Sequence, residues 1–239
     1  MLRTSGTKLL AAALTVVLAG VCLADGYLIH GRRPAAAPPA GPPFADDFAG
    51  SHTWDAAGGT WTNTAGLLVL SSSSDATHNV VAYSSSGTFE ETASYDQYAC
   101  IKVTAYQSSR FVGLTFCACE DYSCTPKFVY YNDSSQYVYI GEASAADSVS
   151  DLANDWQCTT FVEGDWMCVE SDATTTTWAV DVWRFDGTAA LPDRGSWGAS
   201  CSTMGGTITA CTDKGVGVMV NTVWAGTSPG MDNFSAGDQ

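Results

Sequence analysis

The chain has 239 residues and is acidic, with 25 Asp and Glu against 10 Lys and Arg and a formal net charge of −15. Nucleic acids and anionic membranes attract basic surfaces, so this charge argues against both as partners. It is compatible with calcium, with neutral glycans, or simply with solubility.

The N-terminal part contains two segments that differ from the rest of the chain. Arg3 and Lys8 precede an uncharged run from Leu9 to Ala24, which is the pattern of a secretory signal. We predict a signal peptide at residues 1–24. An uncleaved anchor is the alternative, and a membrane partner is expected only in that case. Residues 25–43 are rich in proline and alanine and predict a semi-rigid linker.

Residues 44–239 predict one all-β domain. Short runs of Val, Ile, Thr, Tyr, Phe and Trp alternate there with clusters of Ser, Gly, Asn and Asp, which is typical of strands joined by turns. Residues 166–171 and 176–183 are one such predicted strand pair. A chain of this length can bury a substantial core within a single domain.

The number of cysteines favours export. Nine are present, and Cys22 lies within the predicted signal. An even number in an exported chain predicts a disulfide framework. The eight that remain are Cys100, Cys117, Cys119, Cys124, Cys158, Cys168, Cys201 and Cys211. A zinc site at Cys117, Cys119 and Cys124 is the alternative, although the usual paired C-x2-C spacing is absent.

Apolar alternation predicts a hairpin between residues 99–105 and 112–118. Each segment places apolar side chains on one face with period two, Ile101 in the first segment and Leu114 in the second among them. A two-residue turn between them would place Cys100 opposite Cys117, which predicts a disulfide. Proximity in sequence then pairs Cys119 with Cys124, Cys158 with Cys168, and Cys201 with Cys211.

A second predicted hairpin joins Phe128–Tyr131 to Tyr137–Ile140. A four-residue loop at positions 132–135 sets a register in which Tyr130 faces Tyr137. Because side chains alternate along a strand, one face of this hairpin is then aliphatic and the other is aromatic.

Short motifs along residues 44–239 carry a family resemblance. They are Asp47-Phe48, Gly59-Thr60-Trp61, Gly66-Leu67-Leu68, the strand Phe111–Phe116, Gly164-Asp165-Trp166, Asp186-Gly187, and Gly230-Met231-Asp232-Asn233-Phe234. In these motifs the chain resembles the concanavalin A-like lectin/glucanase superfamily, and its laminin-G-like modules in particular. The resemblance implies a jelly-roll sandwich of two curved antiparallel sheets whose concave face often holds glycans. It also implies a structural calcium near paired terminal strands, as many relatives have.

The two Asp-aromatic segments near the ends of the domain are predicted to be adjacent antiparallel strands. Such pairing would bring together the side chains of Asp46, Asp47, Asp232 and Asn233. Calcium takes six to eight oxygen ligands, so these residues are the candidate Ca²⁺ ligands. Exposed polar ends of edge strands are the alternative interpretation.

The sequence assigns no catalytic residue. Glycoside hydrolysis needs two carboxylates across the scissile bond. The segment Glu163-Gly164-Asp165 lacks the last carboxylate of the glucanase strand motif and also fits a turn. His52 and His78 lie in Ser/Thr-rich stretches without a Gly-x-Ser-x-Gly turn. A lyase with a Tyr or His base stays open, because its residues need not be close in sequence.

Aromatic residues on adjacent predicted strands are the candidate sugar platforms. They are Tyr130, Tyr137, Tyr139, Trp178 and Trp183. Packing between the two sheets is the alternative for each of them. Two glycosylation sequons are also present, at Asn132 and at Asn233.

These features together predict an exported or surface-tethered, non-catalytic sandwich that binds glycans. One alternative is a structural or adhesive subunit that contacts neighbouring extracellular proteins, including copies of itself. The other is a polysaccharide hydrolase or lyase.

Overall fold

The structure is a computed structural model that describes residues 44–48, 55–57, 60–64, 66–72, 79–82, 84–85, 88–89, 91–104, 111–119, 124–145, 148–158, 161–220 and 230–239. The predicted signal and linker, together with His52 and His78, lie outside these ranges. Among the described residues, no helix has the length and apolarity to cross a membrane.

Strands dominate the described chain. They are β1 (Phe44–Asp46), β2 (Asp55–Ala57), β3 (Thr60–Thr64), β4 (Leu67–Ser72), β5 (Asn79–Ala82), β6 (Ser84–Ser85), β7 (Thr88–Phe89), β8 (Asp96–Val103), β9 (Phe111–Ala118), β10 (Lys127–Asn132), β11 (Tyr137–Ala145), β12 (Ser148–Asp155), β13 (Trp166–Ala173), β14 (Thr177–Phe185), β15 (Ser202–Thr207), β16 (Gly215–Val220) and β17 (Gly230–Asp238). A short 3₁₀ helix covers Arg194–Ser196.

Two antiparallel sheets lie face to face. The eight-stranded sheet has the order β15-β14-β13-β8-β17-β4-β3, with β1 also paired to β17. The seven-stranded sheet has the order β12-β11-β10-β9-β16-β5-β2. Side chains from both sheets, such as Val169 and Leu114, share one core and are fully buried. The predicted all-β antiparallel sandwich is therefore confirmed, as is the pairing of β13 with β14.

The predicted hairpin of residues 99–105 with 112–118 is wrong. β8 pairs with β13 and β17 in one sheet, whereas β9 pairs with β10 and β16 in the other. The buried faces were predicted correctly, because Ile101 and Leu114 both point into the core. Apolar alternation fixes which face is buried. It does not distinguish two strands side by side in one sheet from two strands in facing sheets.

The hairpin of β10 and β11 is present, with a register two residues away from the predicted one. Tyr130 lies opposite Tyr139, and Asn132 lies opposite Tyr137. The turn therefore spans 133–136, and its last residue, Gln136, adopts a positive φ of 59° and donates to the carbonyl of Asn132. A shift of two residues keeps every side chain on its predicted face.

All eight predicted cysteines form disulfides, but only one predicted pair is correct. The bonds are Cys100–Cys168, Cys117–Cys211, Cys119–Cys124 and Cys158–Cys201. Cys119–Cys124 is confirmed; Cys100–Cys117, Cys158–Cys168 and Cys201–Cys211 are wrong. The reason is topological. Cys100 and Cys168 are direct neighbours across β8 and β13, although 68 positions separate them in the chain.

Candidate functional site

The terminal strands pair as predicted. Phe44 lies opposite Ala236, and Asp46 lies opposite Phe234. The register of β17 shifts at Asn233, which has a positive φ of 56°. A surface cavity of about 390 Å³ lies beside this irregularity, lined by Ala45, Asp46, Asp47, Asn233 and Phe234. We call it the terminal hollow.

Three of the four predicted calcium ligands lie around the terminal hollow. Asp232 is not among its lining residues and lies opposite Lys102 of β8. One Asp46 carboxylate oxygen accepts a hydrogen bond of 2.7 Å from the backbone of Phe48. Within the described ranges, the one group of three converging His, Cys, Asp or Glu side chains lies elsewhere, and it contains the bonded pair Cys119–Cys124. The oxygen donors available for calcium at the hollow are therefore fewer than predicted.

An aromatic row runs across β9, β10 and β11 on the side of the seven-stranded sheet that faces away from the core. The ring of Tyr130 lies 5.1 Å from Phe111 and 5.3 Å from Tyr139, to which it is nearly parallel. Tyr139 in turn lies 6.3 Å from Tyr137. The predicted aromatic face of the hairpin therefore exists, and the structure brings its three tyrosines together.

Tyr130 is the buried member of this row. Its side chain is only 4% exposed, and it lies opposite Gly113, where even a Cβ atom would collide with the Tyr130 backbone. Its hydroxyl donates a hydrogen bond to the carboxylate of Asp151 on β12. Burial and this bond raise the pKa of Tyr130 well above its ordinary value. A neutral, buried phenol positions its neighbours rather than contacting a ligand.

The accessible end of the row consists of Tyr137 and Tyr139. Trp156 lies just beyond the end of the neighbouring strand β12, and we call these three residues the platform. Tyr137 is 37% exposed, and the half-buried Tyr139 donates to the Ser135 hydroxyl at 3.2 Å. Trp156 is 63% exposed and directly follows Asp155, whose partner across β11 is Val138. Trp156 was missed because it follows a polar stretch rather than an apolar run. Its sequence signal is a lone tryptophan between Asp155 and Gln157.

Polar groups surround the platform. Asn154 is exposed and lies opposite Tyr139. The side-chain oxygen of Asn132 accepts the backbone N–H of Ser134 at 2.9 Å. Amide and hydroxyl groups of this kind fix the orientation of a ligand that stacks on flat rings.

The two predicted tryptophans lie elsewhere. Trp178 is 1% exposed in the core, where its indole N–H donates to Ser171 at 2.8 Å. Trp183 is 7% exposed on the outer side of the eight-stranded sheet, covered by Trp197 with ring centroids 5.2 Å apart. Burial removes Trp178 from the candidate ligand-binding residues. Trp183 lies on the opposite sheet from the tyrosines and does not extend their row.

The carboxylate nearest to a glucanase motif has a structural role. Asp165 is 2% exposed and forms a 2.5 Å ion pair with Arg184. It also accepts the backbone N–H of Val162 at 2.8 Å, while Gly164 adopts a positive φ of 92°. The segment is thus the turn that its sequence also fits.

The chain is similar to known proteins in its fold rather than in its sequence. No protein-family model matches the chain, and no curated protein matches it. The chain is similar to the carbohydrate-binding module CBM66 from Bacillus subtilis, with 11% identity, coverage of 78% of this chain and 93% of that chain, and a TM-score of 0.47. It is similar to a prokaryotic β-1,3-1,4-glucanase (lichenase) derived from a mouse hindgut metagenome, with 9% identity, coverage of 82% and 99%, and a TM-score of 0.49. It is also similar to peanut lectin, with 13% identity, coverage of 81% and 95%, and a TM-score of 0.45.

These proteins have the concanavalin A-like fold that the sequence motifs resemble. Their TM-scores are below 0.5, and their identities to this chain are between 9 and 13%. Their similarity to this chain therefore concerns the fold alone.

Proposed function

We propose that this protein is an extracellular glycan-binding domain and that the platform contacts the sugar. The supporting observation is the exposure of Tyr137 at one end of an otherwise packed aromatic row, together with the exposed Trp156 just beyond the end of β12. Among the described residues, the exposed large hydrophobic side chains are Trp156, Tyr137 and Val162. Rings of Trp and Tyr offer an apolar face together with a polar edge, which suits the C–H faces and hydroxyls of a sugar.

The charge around the platform favours a glycan without acidic groups. Among the described residues from Lys127 to Cys158, the acids are Asp133, Glu142, Asp151 and Asp155, and Lys127 is the one base. That lysine is fully buried in an ion pair of 3.0 Å with Glu142. Carboxylates without a compensating exposed cation repel a uronate or a sulfate.

Single substitutions on the platform test the proposal. We expect Tyr137→Ala and Trp156→Ala each to weaken retention of the folded protein by at least about tenfold in affinity electrophoresis, the loss of roughly 1.4 kcal/mol or more. The gels contain hydroxyethyl cellulose, arabinoxylan, galactomannan or laminarin. Val162→Ala is the control, because Val162 is exposed but not aromatic. If wild-type protein produced without N-glycans is retained in none of the gels, with or without calcium, glycan binding is contradicted.

We propose calcium as a structural ion at the terminal hollow, held by Asp46, Asp47 and Asn233. Oxygen donors of this type suit calcium. The ion would join β1 to the irregular part of β17. The four disulfides further support an oxidising, extracellular location.

A further inference from the structure

Asn132 combines a glycosylation sequon with a place beside the platform. It is the last residue of β10 and lies directly opposite Tyr137, the first residue of β11. Residues opposite each other in an antiparallel pair point to the same side of the sheet, with Cβ atoms about 5 Å apart. Asn132 and Tyr137 therefore share the side that carries the aromatic row.

The local geometry presents the atom to which a glycan is attached. The side-chain oxygen of Asn132 accepts the backbone N–H groups of Ser134 at 2.9 Å and Ser135 at 3.4 Å. The hydrogen bonds of this side chain within the turn thus use its oxygen, and its amide nitrogen is directed away from them. Asn132 is half-buried, while Ser134 at the tip of the turn is exposed.

We propose that Asn132 is an N-glycosylation site whose glycan covers the platform, so that modification and ligand binding exclude each other. This inference rests on the proposed function. In the reaction, the amide nitrogen forms a bond to the anomeric carbon of an oligosaccharide carried on a lipid diphosphate. The bond from that carbon to the diphosphate oxygen breaks, the lipid diphosphate leaves, and the nitrogen loses one proton.

Two features make the exclusion specific to this sequon. The first sugar would be attached to the residue directly opposite Tyr137, with the two Cβ atoms about 5 Å apart. A monosaccharide is wider than this separation and would therefore cover the Tyr137 ring. The second sequon, at Asn233, lies on β17 in the eight-stranded sheet. A glycan there leaves the seven-stranded sheet uncovered and provides an internal comparison.

The experiment compares three forms of the full chain secreted by one cultured animal cell line. They are the wild type, Ser134→Ala and Ser235→Ala. Each substitution removes one sequon and leaves the asparagine and the backbone N–H groups in place. Glycopeptide mass spectrometry measures occupancy at both asparagines, and affinity electrophoresis in the same four neutral polysaccharides measures binding.

We expect a glycan at Asn132 in the wild type and retention at least tenfold weaker than that of Ser134→Ala. We expect Ser235→Ala to behave like the wild type. An unmodified Asn132, or equal retention of wild type and Ser134→Ala when Asn132 is occupied, overturns the inference while glycan binding stands. If Ser134→Ala is retained by none of the four polysaccharides, the proposed function fails, and the inference fails with it.

Discussion

The hydroxyl of Tyr130 on β10 donates a hydrogen bond to the carboxylate of Asp151 on β12, so the bond spans the intervening strand β11. It joins the two strands that flank β11, on the side of the sheet that faces away from the core. Tyr139 stacks against Tyr130 from β11, and Tyr137 follows it along the same strand. The exposed platform thus rests on a polar link between a buried phenol and an exposed carboxylate.

Removing this link should destabilise the domain in a pH-dependent way. We expect Tyr130→Phe to lower the free energy of unfolding in urea by about 1 kcal/mol at pH 8. Because the folded state raises the pKa of Tyr130, its contribution is present below the ordinary tyrosine pKa of about 10 and is lost as pH rises above it. The difference in the free energy of unfolding between wild type and variant should therefore become smaller towards pH 11. A difference that stays constant from pH 8 to pH 11 would contradict this assignment.

Charge near the platform should control which polysaccharides bind. We expect hydroxyethyl cellulose to retain the wild type more strongly than carboxymethyl cellulose at low salt. The difference should shrink at about 0.5 M NaCl, because salt screens repulsion between exposed charges. Asp133→Lys should strengthen binding to carboxymethyl cellulose severalfold and leave binding to hydroxyethyl cellulose unchanged. Stronger binding of the wild type to the acidic polymer is the contrary result.

Calcium at the terminal hollow should act through β1. We expect 5 mM CaCl₂ to raise the melting temperature of the wild type by a few degrees relative to EGTA, since a ligand that binds only the folded state stabilises it. Asp47→Asn should abolish most of that shift, because it removes one exposed carboxylate at the hollow. Asp232→Asn is the control, because Asp232 does not line the hollow. Equal melting temperatures in calcium and in EGTA would contradict a calcium site at the hollow.

The buried ion pair of Lys127 with Glu142 should contribute to stability above acidic pH. Burial alone would raise the pKa of Glu142, but hydrogen bonds from Lys127 and Thr209 outweigh it and hold the pKa below its ordinary value. A depressed folded-state pKa stabilises the protein above the unfolded pKa of about 4.3, and this contribution is lost as pH falls. We expect Glu142→Gln to cost roughly 3 kcal/mol at pH 7.

The matching control is Glu170→Gln, because the pair of Glu170 with Arg194 is about one quarter exposed on both sides. Its substitution should cost less than about 1 kcal/mol. Urea unfolding at pH 7 and pH 3 measures both variants. An effect of Glu142→Gln that is equally large at pH 3 would show that packing, and not charge, is lost.

The disulfides should differ in their contributions to stability. Cys117–Cys211 joins positions 94 apart, whereas Cys119–Cys124 joins positions 5 apart. The chain-entropy model then assigns about 4.7 kcal/mol to the first bond and about 2 kcal/mol to the second. Replacing each pair with alanines and measuring unfolding in guanidinium chloride tests this order. A larger loss for the Cys119–Cys124 pair would contradict it.

Local patterns in the sequence predicted the faces of strands better than their partners. Ile101 and Leu114 were assigned correctly to the core because alternation depends only on each strand's own residues. Their placement in facing sheets depends on β13, β16 and β17, which come much later in the chain. The wrong disulfide pairs have the same origin, since Cys100 meets Cys168 through that long-range pairing.

The sequence predicted only part of the candidate site, because alternation within one strand does not show which face the fold covers. Tyr137 and Tyr139 were found because their strand has two clearly different faces. Trp178 has the same alternation, yet its face is the buried one, and a single strand does not reveal which side is covered. Trp156 lies just beyond the end of β12, so no periodicity marked it. Its exposure depends on the position of β12 at the edge of the sheet.

The placement of β1 determines how the domain carries mechanical load. Force applied through the chain that precedes Phe44 enters at β1, a three-residue strand held by β17. Once the few hydrogen bonds of β1 break, the next strand along the chain to take up tension is β2, a three-residue strand at the edge of the seven-stranded sheet. The platform lies at the opposite edge of that sheet, beside β11 and β12. A pull from the N-terminal side can therefore detach β1 while the platform keeps its shape.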